Sequence, residues 1–560
     1  MSAISEQIKQ KVSSFFSARY SISPQKIEVL KTTNPEFGDL YTNGAMIGGK
    51  ILSKSPLDVA NELKCYLGDS EEYSVEVVSP GFVNFRFSPK YLTKELREIL
   101  KNTEKYGSSD LTPVFGKSKV VVEYSSPNIA KPFGIGHLRS TIIGDVAANL
   151  LCFAGIDVIR DNHLGDWGTQ FGKLIYAIRQ WGNENDISLS QSPIKDLFNL
   201  YVRFHAEAEV NPDLEDEGRA WFKKLEAGDP EAKRVWKLCI DLSLKEFNRV
   251  YSLLGVKFDT LLGESFFEDK MSPIVAELEE KKFLTESEGA KLVFFKDDKY
   301  PPLMIIKKDG TTLYATRDLA TDKYRLQTYG EDTRIINEVG AEQSLYFNQL
   351  IELEKMLGWV KEGQKVHLKH GLYRFKDRKM STRKGDIIWL DDILSTAVEK
   401  ASAYNKDVAW EVAVGAIKWN DLKTECHKDV IFDWDEMLNL KGNTGPYVQY
   451  TKARAESILR KSEKQLSDLP TSTEYNNIEL ELARELSQFP QVIKDCTLEL
   501  APHHLCHYLF NLSQSYNQFY DQHRIIGSDR EIQGLVVSKC VSVVITQGLK
   551  LLGISSPSSL

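Results

Sequence analysis

The residues best suited to chemistry stand together in residues 120–140, where an apolar run leads into a loop rich in Ser, Pro, Asn and Gly and then into a helical pattern. This order predicts a strand, a loop and the first turn of a helix. Unpaired backbone N–H groups in that turn, together with the helix dipole, favour a bound phosphate. Gly134 and Gly136 let a bulky ligand approach the backbone, and Lys131 and His137 add donors that can carry positive charge. On its own, such a turn is also common in α/β proteins without this function.

The turn matches neither of two common phosphate-binding motifs, because no G-x-x-x-x-G-K-[ST] occurs and Arg139 stands where G-x-G-x-x-G requires its third glycine. Gly134-Ile-Gly-His137 resembles the HIGH motif of class I aminoacyl-tRNA synthetases. The residues before it (Ser-Ser-Pro-Asn-Ile-Ala-Lys) and after it (Leu-Arg-Ser-Thr) resemble the arginyl-tRNA synthetase form. Lys379-Met-Ser-Thr-Arg383 resembles the second class I motif, KMSKS, and the resemblance extends over nearly the whole chain.

The resemblance implies an arginine–tRNA ligase. Such an enzyme activates L-arginine with ATP to arginyl-adenylate and transfers the arginyl group to the 3′-terminal adenosine of tRNA(Arg). Its partners are then tRNA(Arg), L-arginine and ATP with Mg²⁺. The alternatives are a non-catalytic tRNA-binding or regulatory relative and a small-molecule adenylyltransferase or peptide-forming ligase. The retained Lys131, His137, Asp318 and Lys379 argue against the former, and the latter would not need the N-terminal and C-terminal domains.

Tyr314 and Asp318 stand four residues apart where a strand pattern passes into a helical one. An Asp in the first turn of a helix is ordinarily a favourable partner of the helix dipole, and the residues alone leave that interpretation open. The resemblance places the substrate guanidinium here. The chemistry agrees, because a buried planar cation needs a carboxylate with fork geometry and a further acceptor such as a hydroxyl. By resemblance, the arginine site is completed by Ser126, Asn128, His137 and Gln343.

The implied reaction also assigns roles to basic residues. Attack of a carboxylate on the α-phosphate of ATP spreads negative charge over the phosphate oxygens and the leaving pyrophosphate, which fixed cations and Mg²⁺ should stabilise. By resemblance, the catalytic groups are Lys131, His137, Lys379 and Ser381. The same resemblance gives an ATP site of Gly134, Gly136, His137, Lys379, Met380, Ser381 and Arg383.

Two positions depart from the class I motifs. Gly134 occupies the first histidine position of HIGH, so only His137 can make the histidine contact. Thr382 occupies the position of the second lysine of KMSKS. We expect Lys131 to substitute for that lysine, because arginyl-tRNA synthetases that lack it typically have a lysine at this place in the phosphate-facing loop. The sequence leaves open whether Arg383 shares the role.

The order of the elements predicts an α/β fold with a Rossmann-type parallel sheet. Strand patterns at 120–124 and 157–160 flank a helix at about 138–153, and the sheet is expected to resume at 292–295 and 303–307. The loop at 161–172 then faces the same crevice as the turn, because ligands sit outside the carboxyl ends of parallel strands.

Patterns along the chain divide it into four parts. A small N-terminal α/β domain is expected over 1–115 and resembles the domain that the family uses on the outer corner of tRNA. The catalytic domain follows over 116–390 with a helical insertion at about 183–254, whose helices are expected to break at Asn211-Pro212 and Gly228-Asp-Pro230. A helical connector is expected over 391–440, and a helical anticodon-binding domain over 441–560.

The C-terminal domain begins with tyrosines at helical spacing. Tyr447 and Tyr450 share one helical face and Arg454 follows, a set that could offer stacking planes and a cation to unstacked RNA bases. Tyrosines at this spacing are more often part of a core, and that interpretation stays open. By resemblance, the segment is the start of the anticodon-binding domain.

Composition is typical of a large globular protein, with 42% apolar and 27% charged residues. The net charge of −8 opposes an RNA partner, but basic residues concentrate around the KMSKS-like segment and after Lys452. Seven scattered cysteines without a C-x-x-C indicate reduced thiols and a cytoplasmic protein. No membrane span is expected. The histidines at 503, 504 and 507 lack further ligands at metal spacing, so no metal is predicted. A monomer is expected, although the sequence does not fix the oligomeric state.

Overall fold

The computed structural model describes residues 3–32, 34–375, 389–464, 466 and 474–560. The KMSKS-like residues Lys379 to Arg383 therefore lie outside the described residues. The seven cysteines are all free, as their odd number and scattered positions predict.

The N-terminal domain is an antiparallel four-stranded sheet with helices packed against it. Its strands run in the order β1-β2-β4-β3, and a tight turn at Pro80 and Gly81 joins β3 to β4 as an antiparallel hairpin. The elements are α1 (Ala3–Tyr20), β1 (Leu30–Lys31), β2 (Leu40–Thr42), α2 (Gly44–Leu52), α3 (Pro56–Leu67), β3 (Tyr73–Val78), β4 (Phe82–Phe87), α4 (Pro89–Lys101) and α5 (Thr112–Phe115).

The central domain, residues 116–390, contains the predicted parallel sheet, with strand order β11-β10-β5-β6. Its strands are rich in Val and Ile and are largely buried, as expected for a sheet covered by helices on both faces. The elements outside the insertion are β5 (Val120–Glu123), α6 (Ile135–Phe153), β6 (Val158–Asp161), α7 (Thr169–Trp181), α12 (Met271–Glu280), β7 (Thr285–Ser287), β8 (Ala290–Val293), β9 (Leu303–Ile306), α13 (Tyr314–Tyr329), β10 (Arg334–Gly340), α14 (Ser344–Met356), β11 (Lys365–His370) and β12 (Tyr373–Phe375).

The prediction that 292–295 and 303–307 continue the parallel sheet is wrong. β7, β8 and β9 form a separate three-stranded antiparallel sheet. The physical reason is the short connection between β8 and β9, because neighbouring parallel strands need a crossover of a dozen or more residues, whereas antiparallel strands can be joined by a short loop.

The insertion is helical, as predicted, and its helices break at the predicted Asn211-Pro212 and Gly228-Asp-Pro230 positions. Side-chain caps and prolines mark the helix starts. Asn183 and Asp229 accept backbone N–H groups as N-caps, and Pro193 and Pro230 stand at first helical positions. Its helices are α8 (Glu184–Leu189), α9 (Pro193–Val210), α10 (Asp213–Glu226) and α11 (Pro230–Leu254).

The C-terminal third is helical apart from one strand. β13 (Val430–Phe432) pairs in parallel with β12, so the prediction of a purely helical connector is wrong. A Val-Ile-Phe run has β-branched and aromatic residues that suit a strand, and β12, distant in sequence, supplies the partner. The other elements are α15 (Leu390–Ala401), α16 (Ala409–Leu422), α17 (Trp434–Met437), α18 (Gly445–Lys461), α19 (Asn477–Leu486), α20 (Phe489–Glu499), α21 (Pro502–Gln522) and α22 (Glu531–Leu551).

In the described part of the chain, α22 is the helix long and apolar enough to cross a membrane. Of its most apolar 18-residue stretch, 78% is buried inside the protein. The helix packs against α18 and α4, so its apolar surface belongs to the core of the molecule.

Candidate active site

The turn after β5 has the strand, loop and helix order that the sequence predicts. Gly134 is the N-cap of α6, and the backbone of Ser125, Ser126 and Ala130 is left-handed, which curls the loop back over the helix start. Gly136 is exposed, and a side chain added there would meet no atom within 4 Å. The first turn of α6 therefore faces open space in which a ligand can approach the backbone.

His137 is held as a neutral hydrogen-bond donor. Its Nδ1 accepts the Gly134 backbone N–H at 3.3 Å, so the remaining proton of the neutral ring lies on Nε2. Burial, with the nearby charges of Lys131 and His370, lowers the pKa of His137 to about 4. At neutral pH the ring therefore has one N–H to donate and carries no charge of its own.

Lys131 lies in the same turn, six residues before His137. Its ammonium lies over the ring of Tyr201, 5.6 Å from the ring centroid. Burial lowers the pKa of Lys131. Among the residues that the structure describes, no carboxylate forms an ion pair with this ammonium, so its charge is available to a ligand.

The chain just beyond the KMSKS-like segment contacts this turn. Lys379, Met380, Ser381 and Arg383 lie outside the described residues. On the far side of the segment, Trp389 forms a β-bridge with Gly134, and the Leu390 N–H donates to the Phe133 carbonyl at 3.4 Å. The chain is therefore back at the turn between β5 and α6, called the phosphate turn below, by Trp389, six residues after Arg383.

Arg139, which replaces the third glycine of the dinucleotide motif, is buried at the junction of α6 with the connector. It donates to Asp421 Oδ1 at 3.2 Å and to the carbonyls of Lys428 and Cys426 at 2.7 and 2.9 Å. Tyr373 of β12 donates its hydroxyl to the other oxygen of Asp421. One guanidinium thus fixes the helix start relative to the strand that leads into the KMSKS-like segment.

Asp318 lies in the first turn and a half of α13, and its acceptor oxygens face a small cavity of about 30 Å³. The hydroxyl of Tyr346, from α14, donates to Asp318. Burial raises the pKa of Asp318, the charges of Glu123 and Asp322 raise it further, and the Tyr346 hydrogen bond offsets part of this effect. In the described part of the chain, no Lys or Arg forms an ion pair with Asp318.

Other polar atoms around the cavity also lack partners. His163 and Asn337 line it with Asp318, and His163 Nδ1 and Asn337 Oδ1 are buried without a hydrogen bond to any described residue. Buried polar atoms are nearly always paired, so a group of them around one cavity indicates a site for a polar ligand.

Tyr314, which the sequence predicts to offer a second acceptor to the guanidinium, does not contact Asp318 directly. It is 57% exposed, and its ring packs edge-on against Tyr346 with centroids 4.8 Å apart. Tyr346, which sequence reasoning missed, is the tyrosine that touches Asp318. Its spacing of three residues from Gln343, within the first turn of α14, is the signal that could have suggested it.

Glu264 is a second carboxylate that sequence reasoning missed. It pairs with Arg317 at 3.5 Å. Burial raises its pKa, and the Asp318 charge adds to this increase, which places the two carboxylates in one acidic environment. No motif or spacing in the sequence marks Glu264.

Ser126 and Asn128 lie where β5 and β6 end. The Ser126 N–H donates to Asn162 Oδ1 at 3.1 Å, and Asn128 forms a β-bridge with Gly165. The loop at 161–172 therefore lies against the phosphate turn, as the sequence predicts. Ser126 Oγ is buried without a partner among the described residues. Gln343 is exposed in the turn that follows β10.

The tyrosine face of the C-terminal domain is partly buried. Tyr447 packs against Phe510 with centroids 5.6 Å apart. Arg454 lies between the rings of Tyr450 and Tyr520, at 4.9 and 4.6 Å from their centroids, and donates to Tyr450 Oη at 3.1 Å. The three predicted RNA-contacting residues thus pack against α21, which fits both interpretations that the sequence leaves open.

No group of three or more His, Cys, Asp or Glu side chains in the described ranges has a metal-binding arrangement. His504 contacts Glu499 at 3.1 Å, and His503 packs against His504 and His507.

Three family models match the chain in order. They are described as the arginyl tRNA synthetase N terminal domain (residues 2–87), tRNA synthetases class I (R), catalytic domain (residues 95–434), and the DALR anticodon binding domain (residues 448–560).

Curated relatives match over nearly the full length. An arginine–tRNA ligase of Exiguobacterium sibiricum is 42% identical, with 96% of this chain and 97% of the relative covered. One from Clostridium perfringens is 43% identical, with 93% and 94% covered.

Solved structures share the fold. The arginyl-tRNA synthetases of Plasmodium falciparum and Thermus thermophilus each give a TM-score of 0.83 at 24% identity. Each alignment covers 100% of this chain, with 100% and 99% of the respective solved chain.

Proposed function

Since the chain belongs to the arginyl-tRNA synthetase family, we propose that Asp318 binds the guanidinium of the arginine substrate and that the turn from Lys131 to His137 binds the phosphates of ATP. The enzyme is an arginine–tRNA ligase. The observation that carries the assignment of Asp318 is its partly buried carboxylate, which has no cation partner among the described residues, beside other polar atoms that lack partners there.

The reaction has two steps. An oxygen of the arginine carboxylate attacks the α-phosphorus of ATP, and the bond to pyrophosphate breaks. A hydroxyl of the terminal adenosine of tRNA(Arg) then attacks the carbonyl carbon of arginyl-adenylate, and AMP leaves. The protein must hold the side chain of arginine at one end of the crevice and the phosphates at the other.

At the side-chain end, Asp318 supplies the acceptor for a planar cation. A guanidinium matches a carboxylate with two parallel hydrogen bonds, whereas the point charge of lysine cannot satisfy both oxygens in that geometry. Glu264 is already paired with Arg317, so Asp318 is the carboxylate proposed to meet the guanidinium, and the exposed Tyr314 lies at the entrance of the site. Ser126, Asn128 and Gln343 complete the arginine site around its α-amino and carboxylate groups.

At the phosphate end, the neutral His137 donates its Nε2 proton to a phosphate oxygen, and Gly136 leaves room for the ligand. Lys131 supplies a fixed cation that meets charge developing in the transition state. Lys379, Met380, Ser381 and Arg383 act with them from the KMSKS-like segment. Mg²⁺ accompanies ATP and neutralises its phosphates.

The C-terminal domain is proposed to bind the anticodon arm through Tyr447, Tyr450 and Arg454, and the N-terminal domain the outer corner of tRNA. We place the enzyme in the cytoplasm as a monomer.

Aminoacylation with arginine, ATP and total tRNA tests the assignment when lysine and citrulline are added as competitors. Citrulline has nearly the shape of arginine without its charge. With the wild-type enzyme, we expect both lysine and citrulline to compete poorly with arginine. Asp318→Asn should narrow the preference for arginine over citrulline, because it removes the charge and keeps the shape.

Asp332→Asn is the matched control. Asp332 pairs with the exposed Lys361 and precedes β10. It therefore lies at the amino ends of the parallel strands, away from the site at their carboxyl ends. An unchanged preference for arginine over citrulline in Asp318→Asn would refute the assignment.

A further inference from the structure

The ammonium of Lys131 has an unusual environment for a partly buried cation. The centroid of the Tyr201 ring lies 5.6 Å from its Nζ, and no carboxylate among the described residues pairs with it. Tyr201 belongs to α9, in the helical insertion, about seventy residues further along the chain. The insertion therefore contributes a side chain to the phosphate turn.

An aromatic ring and a carboxylate hold a cation with different consequences. A carboxylate would neutralise the ammonium and compete with phosphate for it. The face of an aromatic ring attracts the ammonium through its quadrupole and leaves the net charge at +1. A ring is therefore the partner that fixes a lysine whose charge is needed by an anionic ligand.

Tyr201 is itself held in place. It is half-buried against the main core of the protein, and His205, one helical turn along α9, packs edge-on against its ring with centroids 4.6 Å apart. No hydrogen bond from the Tyr201 hydroxyl to a described residue is present, so the contact with Lys131 depends on the ring.

We infer that Tyr201 is a positioning residue for adenylate formation, whose ring holds the Lys131 ammonium at the phosphates of ATP. This inference rests on the proposed role of Lys131. A lysine side chain that is free to rotate loses conformational entropy when a ligand fixes it, and the ring restricts the side chain before ATP binds, so less entropy is lost on binding.

Four variants test the inference by aminoacylation kinetics: Tyr201→Leu, Tyr201→Phe, Lys131→Ala and the double variant Tyr201→Leu/Lys131→Ala. Tyr201→Leu should lower kcat roughly 3- to 10-fold, with the KM for arginine unchanged. Tyr201→Phe keeps the ring and should retain wild-type kcat. In the Lys131→Ala background, Tyr201→Leu should cause no further loss, because its effect passes through Lys131.

Thermal unfolding of each variant accompanies the kinetics. If Tyr201→Leu does not fold, Tyr201→Met replaces it, since Met also lacks the ring and fills a similar volume. A purely structural role would lower the melting temperature and would persist in the double variant, and that additivity would overturn the inference. An increase in the KM for tRNA at constant kcat would also overturn it, since Tyr201 would then contact tRNA.

The two proposals fail in different ways. A normal kcat for Lys131→Ala would refute the proposed role of Lys131, and with it this inference. An impaired Lys131→Ala together with a normal Tyr201→Leu would refute this inference alone.

Discussion

Two carboxylates one turn apart on α13 have opposite environments. Asp322 is buried with two cations, because Arg325 pairs with it at 2.9 Å and Lys365 donates to it. Asp318 receives a hydrogen bond from the neutral Tyr346 and no ion pair from any described cation. The two residues have the same chemistry and share a helix face, so the difference lies in what the surrounding elements supply.

The pKa values of the two carboxylates are shifted in opposite directions, in line with their different partners. Burial alone would raise the pKa of Asp322, but Lys365 and Arg325 lower it below its ordinary value. Burial raises the pKa of Asp318, and only part of this effect is offset. A carboxylate that the protein has already neutralised holds the fold together, and one left without a cation can bind a cationic substrate.

Arg325 also reaches beyond Asp322. Its guanidinium pairs with Glu123 at the end of β5 and Asp161 at the end of β6. The protein thus satisfies the acidic ends of two strands with its own arginine, and this leaves Asp318 as the acceptor at the cavity for an arginine from outside.

The largest effect is expected from Asp322→Asn. It removes a charge that two buried cations share, which should destabilise the fold by about 3 kcal/mol and lower Tm by several degrees. Thermal unfolding measures it, with the exposed Asp332→Asn as control at an unchanged Tm. A Tm equal to that of the control would contradict the structural role of Asp322.

Asp318→Asn should show the reverse pattern. It should lower kcat/KM for arginine by at least about 2 kcal/mol, roughly 30-fold, because the guanidinium loses its counter-charge. Its Tm should not fall, since the substitution removes a partly buried charge that no described cation pairs with. An equal loss of Tm in Asp318→Asn and Asp322→Asn would contradict the different roles assigned to the two carboxylates.

The pH dependence should separate the two carboxylates in the wild type. Because the folded pKa of Asp318 is raised, kcat/KM for arginine should fall as the pH drops through a value above the ordinary aspartate pKa of about 3.9. Because the folded pKa of Asp322 is lowered, its contribution to stability is present above about pH 3.9 and is lost only as the pH falls through the lower folded value. Profiles of kcat/KM and Tm against pH, with Asp318→Asn as control, test this order; loss of Tm before loss of kcat/KM would contradict it.

The smallest effect is expected from Tyr346→Phe. The Tyr346 hydroxyl donates a hydrogen bond to Asp318. A bound guanidinium must therefore displace this hydrogen bond or share the carboxylate with the hydroxyl. Losing it should lower the KM for arginine about 2- to 5-fold, in line with the modest net value of one hydrogen bond. An increase in this KM would mean that the hydroxyl supports the bound guanidinium instead.

Local patterns in the sequence were sufficient for much of the fold. The strand, loop and helix of the phosphate turn, the helix ending at Phe153 and the breaks between the insertion helices depend on residues close together in the chain, and the structure confirms them. The motifs around Gly134 and Lys379 also indicated the family, which the comparisons show.

The tertiary structure alone decided features that depend on distant residues. β8 and β9 were assigned to the wrong sheet and β13 was missed, because a strand's partner is not encoded in its own residues. Sequence spacing marked Asp318 but could not show that Asp322 beside it is neutralised by Lys365, forty-three residues away. The sequence determined which residue types reach the site, and the packing of separate elements decided which of their charges remain open, because burial and ion pairing are set by contacts between segments far apart in the chain.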